Sequence, residues 1–286
     1  MTHRRHAAAV VASGLLFGTT GTAALLADTD ASALSIAAGR LLVGAAGLVV
    51  FASFAGWSEL GTLLRMARVW VMGIGVATYM LLFFASVQQV GAAMASLVSI
   101  CLAPVFTAVG ARVVGKPWPN RLWLIGTVLA VIGVTLLAWP DPQVSGGRWV
   151  GAALAAGASA AYAAYTVTGS GLAEHGVPPR RSLAVSFGIG AVLCSPFLMA
   201  DSRWLLTGRG VALVLWLGLA ATTLAYALFG YGLSRLKPGV VATLTLSEPA
   251  MATVLGIGVL GEVMTARGWI GCTMIVVALL VTARSK

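Results

Sequence analysis

Charge is what this sequence has least of. Only 9% of its 286 residues are Asp, Glu, Lys or Arg, where a water-soluble domain carries about a quarter. So few ionic groups cannot cover a water-facing surface, which excludes a soluble enzyme and a disordered chain. Cysteine is also scarce. Cys101, Cys194 and Cys272 each sit inside an apolar run with no CxxC spacing, which excludes a secreted disulfide framework. The three histidines, His3, His6 and His175, are peripheral. No HExxH pattern, Walker loop or Ser/His/acid constellation occurs, so neither a metal nor a cofactor is expected, and no nucleotide site to drive pumping.

Apolar residues are abundant instead, at 59% with a mean hydropathy of +0.96. They fall into runs over 7–27, 32–54, 69–87, 91–109, 122–139, 149–170, 183–200, 211–233, 240–260 and 269–283. Each is near the roughly 20 residues that cross a bilayer as a helix. The alternating polarity of a membrane strand is missing. The expectation is an all-α integral membrane protein of ten transmembrane helices. Residues 1–27, with Arg4-Arg5 ahead of an apolar stretch, have the look of a signal peptide. Its removal would leave nine spans and break the duplication described below, so the segment is read as the first span.

The net charge of +10 does not point to nucleic acid, because the basic residues lie in separate loops. Threading ten helices from a cytoplasmic N-terminus puts Arg4, Arg5, Arg65, Arg68, Arg112, Lys116, Arg121, Arg180, Arg181, Arg235, Lys237, Arg284 and Lys286 inside. Only Arg148, Arg203, Arg209 and Arg267 fall outside. This is the positive-inside bias, with both termini cytoplasmic. The acids Asp28, Asp30, Asp141, Asp201 and Glu262 lean outward. Trp57, Trp70, Trp118, Trp123, Trp139, Trp149, Trp204 and Trp269 lie near span ends, where indoles favour the headgroup level.

Sliding the second half over the first by 145 residues brings Thr78 onto Thr223, Phe84 onto Phe229, Pro104 onto Pro249 and Gly126 onto Gly271, without a gap. The unit of five helices is odd, so the copies enter the membrane from opposite sides. The expected organisation is two inverted repeats, residues 1–140 and 148–286. Such repeats are a common carrier design, with the site near the midplane between them.

The second half reads Leu246-Ser247-Glu248-Pro249-Ala250, then Gly261-Glu262-Val263-Met264-Thr265, then Gly268-Trp269-Ile270-Gly271. This resembles the EamA repeat of the drug/metabolite transporter superfamily. The first half carries a weaker partner in Ala103-Pro104-Val105-Phe106, and Arg40 in its second helix. The resemblance implies a ten-helix carrier of the inner membrane, of a kind that mostly exports amino acids, related metabolites or drugs and in some cases imports. One departure is that Ala103 and Lys116 stand where the second repeat has Glu248 and Glu262, so a site at the seam is asymmetric.

Glu248 is the one acid and Arg40 the one base deep inside a span, where a charge is costly and faces the interior. Glu248 is expected to bind a substrate ammonium or carry a proton, or to brace a helix break. Arg40 is expected to meet a carboxylate, or to snorkel to the outer surface. Pro104 and Pro249 are the expected helix breaks. Tyr79, Tyr162 and Tyr226, with Ser99 and Ser247, are candidate substrate contacts. For each hydroxyl, ordinary helix–helix bonding is the competing reading. The pair Gly14 and Gly18 permits close helix approach. The reading is a secondary transporter working by alternating access, with a small organic solute, protons and the lipid bilayer as partners. The alternatives are a multidrug or cationic amine:proton antiporter and a membrane-embedded enzyme acting on lipid or isoprenoid. The latter lacks the clustered acids or histidines it would need.

Overall fold

A computed structural model of the chain describes residues 2–54, 56, 60–137, 148–261 and 266–284. Trp57, Trp139, Asp141, Lys286 and the stretch from Glu262 to Thr265 lie outside the described residues. The helices are α1 (Thr2–Ala27), α2 (Ala33–Ser53), α3 (Leu60–Arg65), α4 (Ala67–Val113), α5 (Arg121–Leu137), α6 (Arg148–Glu174), α7 (Pro179–Ala200), α8 (Gly208–Leu215), α9 (Ala225–Leu233), α10 (Pro238–Leu244), α11 (Ser247–Leu260) and α12 (Ala266–Thr282). A 3₁₀ turn (Arg203–Leu206) precedes α8, and a π-helical segment (Trp216–Leu224) joins α8 to α9. Among the described residues, seven helices are long and apolar enough to cross a membrane, and three shorter apolar ones are Val98–Val113, Arg121–Leu136 and Ala266–Thr282. These match the apolar runs of the sequence. The short α3 was not foreseen, since its six residues are too few for a periodic signal.

Two spans follow each other within α4. Helical backbone continues through all of α4, yet α4 runs twice along α6. Gly75 abuts Tyr165, Leu82 abuts Gly157 and Val90 abuts Gly151. Going back, Ser99 donates to Ala155 O at 3.1 Å, and Gly110 lies against Val167. The chain therefore reverses between Val90 and Ser99, within the interval the sequence divides into spans three and four. Pro104 sits inside the returning arm without ending it. Thr107, whose hydroxyl donates to Ala103 O at 2.6 Å, helps hold the turn around the proline.

The contacts carry the duplication. On the α5–α12 seam a Cβ at Gly126 would press on Ala278 O, and one at Gly133 on Gly271 O. Shifting each residue by 145 exchanges these two contacts. Gly73 against Ile189 and Gly218 against Gly44 are exchanged in the same way. These pairs relate α4–α7 packing to the packing of α2 on the π segment. The helices thus form two inverted five-helix repeats that interdigitate: α2 packs on α7, α4 on α6, α5 on α12 and α1 on α11. Leu124, Ile125 and Val128 of α5 and Val276, Val277 and Leu280 of α12 are exposed. In a bilayer that apolar face meets lipid, where no hydrophobic cost arises.

The start of α1 and the end of α12 lie on one face. Tyr231, after α9 has crossed, stacks on His6 at 4.2 Å, and Thr282 lies beside Gly126 in the first turns of α5. On the opposite face Ser32 caps α2, and its backbone N–H donates to Asp201 Oδ2 at 2.7 Å.

Candidate functional site

Aromatic side chains from five helices meet at the centre of the bundle. Tyr226 and Phe229 of α9, Tyr165 of α6 and Phe187 of α7 are all buried. Tyr226 stacks obliquely on Phe187 at 4.3 Å and on Phe17 of α1 at 5.0 Å. Its hydroxyl lies 3.3 Å from that of Tyr165. Tyr162 packs edge-on against Tyr165 at 5.1 Å and faces Tyr79 at 6.3 Å. Its hydroxyl reaches Thr245 Oγ1 at 3.5 Å. Three of the phenols named from sequence, Tyr79, Tyr162 and Tyr226, therefore belong to one cluster.

Arg40 reaches this cluster from α2. It does not snorkel away. Nε donates to Thr222 Oγ1 at 2.9 Å, and Nη2 donates to Ala221 O at 3.0 Å. Both partners belong to the π-helical segment. Such π-helical segments recur at functional sites. The Thr222 and Thr223 hydroxyls donate to the carbonyls five residues back, Leu217 O at 2.8 Å and Gly218 O at 3.0 Å.

Glu248 arrives from the other repeat. The ninth span breaks at Thr245-Leu246, between α10 and α11, so Glu248 and Pro249 occupy the first turn of α11. There a proline costs no helical hydrogen bond, and a carboxylate lies at the positive end of the helix dipole. The break thus falls just ahead of Pro249 rather than at it. Gly14 and Gly18 bring α1 against the break. A Cβ on Gly14 would overlap the Ser247 hydroxyl, and one on Gly18 would overlap Glu248 O. Glu248 is half-buried. Its carboxylate has no hydrogen bond or close ion pair among the described residues. Arg40 and Glu248 lie within electrostatic reach of each other and of Tyr79 and Tyr226. Glu248 also lies within reach of Tyr162.

The two serines are engaged elsewhere. Ser99 donates to Ala155 O at 3.1 Å and its carbonyl accepts from Ser159. Ser247 donates to Val11 O at 3.0 Å. Both are buried. Thr222, Phe17 and Phe187 were not singled out from sequence. Thr222 had a signal in the Thr222-Thr223 pair, one member of which matches Thr78 across the repeats. The phenylalanines are indistinguishable in sequence from packing residues.

A cavity of about 360 Å³ opens on the face that carries the chain ends. It is built from both repeats, by Lys116, Pro117 and Pro119 on one side and Ser170, Glu174, Lys237 and Gly239 on the other. Lys116 Nζ donates to Glu174 at 2.9 Å and to Ser170 Oγ at 2.8 Å. Pro238 and Gly239 open α10, the helix that leads to the break beside Glu248.

Paired inverted repeats around an interior acid–base–phenol cluster define the chain as a membrane carrier fold. The model of the EamA-like transporter family matches residues 5–139 and 149–284, and the chain belongs to that family. It is 34% identical to the uncharacterized transporter YwfM of Bacillus subtilis over 95% of this chain and 91% of that one. A match of 35% identity to the threonine/homoserine exporter RhtA of Salmonella typhimurium covers 49% of this chain and 48% of the exporter. One solved crystal structure superposes with a TM-score of 0.81 at 20% identity, covering 96% of this chain and 95% of that one, which speaks to the fold alone.

Proposed function

We propose that this transporter exports amino acids or related zwitterionic metabolites by alternating access between repeats 1–140 and 148–286. The observation that carries the reading is the pair Arg40 and Glu248. They are a base and an acid from opposite repeats, not hydrogen-bonded to each other among the described residues, and set among phenols. Ionisable side chains inside a membrane protein are costly and mark solute or proton pathways. A guanidinium suits a carboxylate, a carboxylate suits an ammonium, and phenol faces suit either a cation or an apolar side chain. Tyr79, Tyr162 and Tyr226 form the walls of this seat, and Pro104 and Pro249 mark the arms that flex. The half-length likeness to threonine/homoserine exporters supports the same solute class. The basic loops support an inner-membrane carrier with both termini in the cytoplasm.

The test is uptake of labelled amino acids into everted vesicles, with and without a proton gradient. Glu248→Gln is expected to cut uptake at least about tenfold while protein level and detergent melting hold. Arg40→Ala is expected to cut uptake of amino acids more than that of amines lacking a carboxylate. Uptake by Glu248→Gln equal to wild type overturns the reading. Uptake of amines but of no amino acid would instead identify an amine:proton antiporter. Protease removal of a C-terminal tag in intact everted vesicles checks the orientation.

A further inference from the structure

The guanidinium of Arg40 is held by one edge. Nε and Nη2 make its side-on edge, and both are taken by the π segment through Thr222 Oγ1 and Ala221 O. Nη1 has no partner among the described residues. Of the five N–H donors of an arginine, the end-on pair from Nη1 and Nη2 remains for a planar bidentate acceptor. That leftover geometry matches a carboxylate.

The Thr222 hydroxyl is itself fixed. It donates to Leu217 O at 2.8 Å, which turns its lone pairs toward Arg40 Nε. Its methyl is seated on Gly44, where an added Cβ would overlap Thr222 Cγ2 and come within 2.7 Å of Thr222 Cβ. Gly44 lies four residues after Arg40, one helical turn along the same face of α2. The same α2 face therefore supplies both the guanidinium and the space that sets the threonine rotamer. Arg40 and Thr222 belong to different repeats, so relative motion of the repeats acts on this bond.

We propose that Thr222 is a positioning and specificity-determining residue: by clamping the side-on edge of Arg40 it presents the end-on edge as the carboxylate seat of the substrate. This rests on the amino-acid reading above.

The experiment has two arms. In everted vesicles, Thr222→Val, which keeps the shape and removes the acceptor, is expected to raise KM for an amino acid about tenfold with maximal rate within about twofold. Such a change marks lost binding rather than a lost fold. Thr222→Ser is expected to match wild type, and uptake of the decarboxylated amine to stay unchanged. Gly44→Ala, which displaces Thr222 without touching Arg40, is expected to resemble Thr222→Val. Equal losses for the amino acid and the amine, or a serine variant as impaired as the valine, would overturn the proposal. The second arm needs no substrate. Purified protein is treated with phenylglyoxal, and modification at Arg40 is followed by peptide mass. Thr222→Val is expected to react several-fold faster than wild type or Thr222→Ser, since a freed side chain is more accessible. An unchanged rate refutes the clamp. If wild type moves no amino acid, the solute class fails while this arm still decides the clamp.

Discussion

The two repeats are built alike and furnished differently. Their seams match contact for contact: Gly126 and Gly133 of α5 meet Ala278 and Gly271 of α12 in exchanged pairs. Their chemistry does not match. The fourth span keeps its helix through Ala103-Pro104, whereas the ninth breaks before Glu248-Pro249. α2 carries Arg40 where α7 carries Val185, and among the described residues the π segment lies only in the second repeat. Symmetry thus resides in the packing and asymmetry in the charged site. On the function proposed above, the matched scaffold would supply two similar gates, and the unlike groups would meet the two unlike ends of the solute.

The break can be tested against its unbroken mate. α1 meets it through Gly14 and Gly18, but the equivalent positions of α6 are Ser159 and Ala163, and there the partner helix stays whole. A Cβ at Gly14 overlaps the Ser247 hydroxyl and meets Thr245 O at 3.0 Å, and main chain cannot yield as a side chain can. Gly14→Ala is expected to destabilise the folded protein by about 2–3 kcal/mol, the upper range for overpacking, and to depress uptake. Ser159→Gly, which removes a hydroxyl that reaches Ser99 O, is expected to cost about 1 kcal/mol. Detergent unfolding compares them, and equal losses would mean that the break needs no special room.

The apolar runs made the spans legible, because span length and loop charge answer to the bilayer and to little else. The odd repeat made the inverted arrangement legible for the same reason. Arg40 and Glu248 stood out as lone charges in apolar runs, and the phenols stood out as polar tips with nowhere to go. What the sequence could not show was register. The π segment depends on how α2 presses Gly44 and Gly47 onto Thr222 and Thr223, a contact between residues far apart in the chain. Pro104 and Pro249 read identically, yet only the second has a break before it, because α1 offers glycines there. The roles of Ser99 and Ser247 were equally hidden, since a serine in a span looks the same whether it bonds a neighbouring carbonyl or a solute.

The matched seam predicts matched effects. A Cβ at Gly126 would overlap the Thr282 hydroxyl, and one at Gly133 would come within 2.8 Å of Gly271 O and 3.0 Å of Ile275. Gly126→Ala and Gly133→Ala are each expected to cost about 1–2 kcal/mol, equal within about 0.5 kcal/mol, with uptake by the surviving protein unchanged. This seam faces lipid and touches none of the charged cluster. A tenfold loss of uptake from either variant would show that the scaffold and the site are not separable.

The smallest expected effects separate the two membrane faces. On the face away from the chain ends, Asp201 accepts the Ser32 N–H at 2.7 Å, and Trp204 Nε1 donates to Ser35 Oγ at 2.8 Å, tying the start of α2 to the end of α7. The Ser32 backbone bond, with the Ser32 hydroxyl, holds the Asp201 carboxyl below the usual carboxylate range. A carboxyl lowered by folding adds stability that is present above its unfolded pKa and lost as pH falls through its folded one. Wild type should therefore lose more melting temperature than Asp201→Ala between about pH 5 and pH 3. On the other face Lys116 and Glu174 are joined at 2.9 Å, but Glu174 is 60% exposed, so the pair contributes at most about 1 kcal/mol and is screened by salt. Glu174→Gln should lower melting slightly at low salt, with the difference vanishing near 1 M. The distinction follows from what each carboxylate touches: a backbone N–H fixed at a helix start is not screened by ions as a flexible lysine is. If Asp201→Ala and wild type melt in parallel across the acid range, the far face is held by Trp204 packing alone.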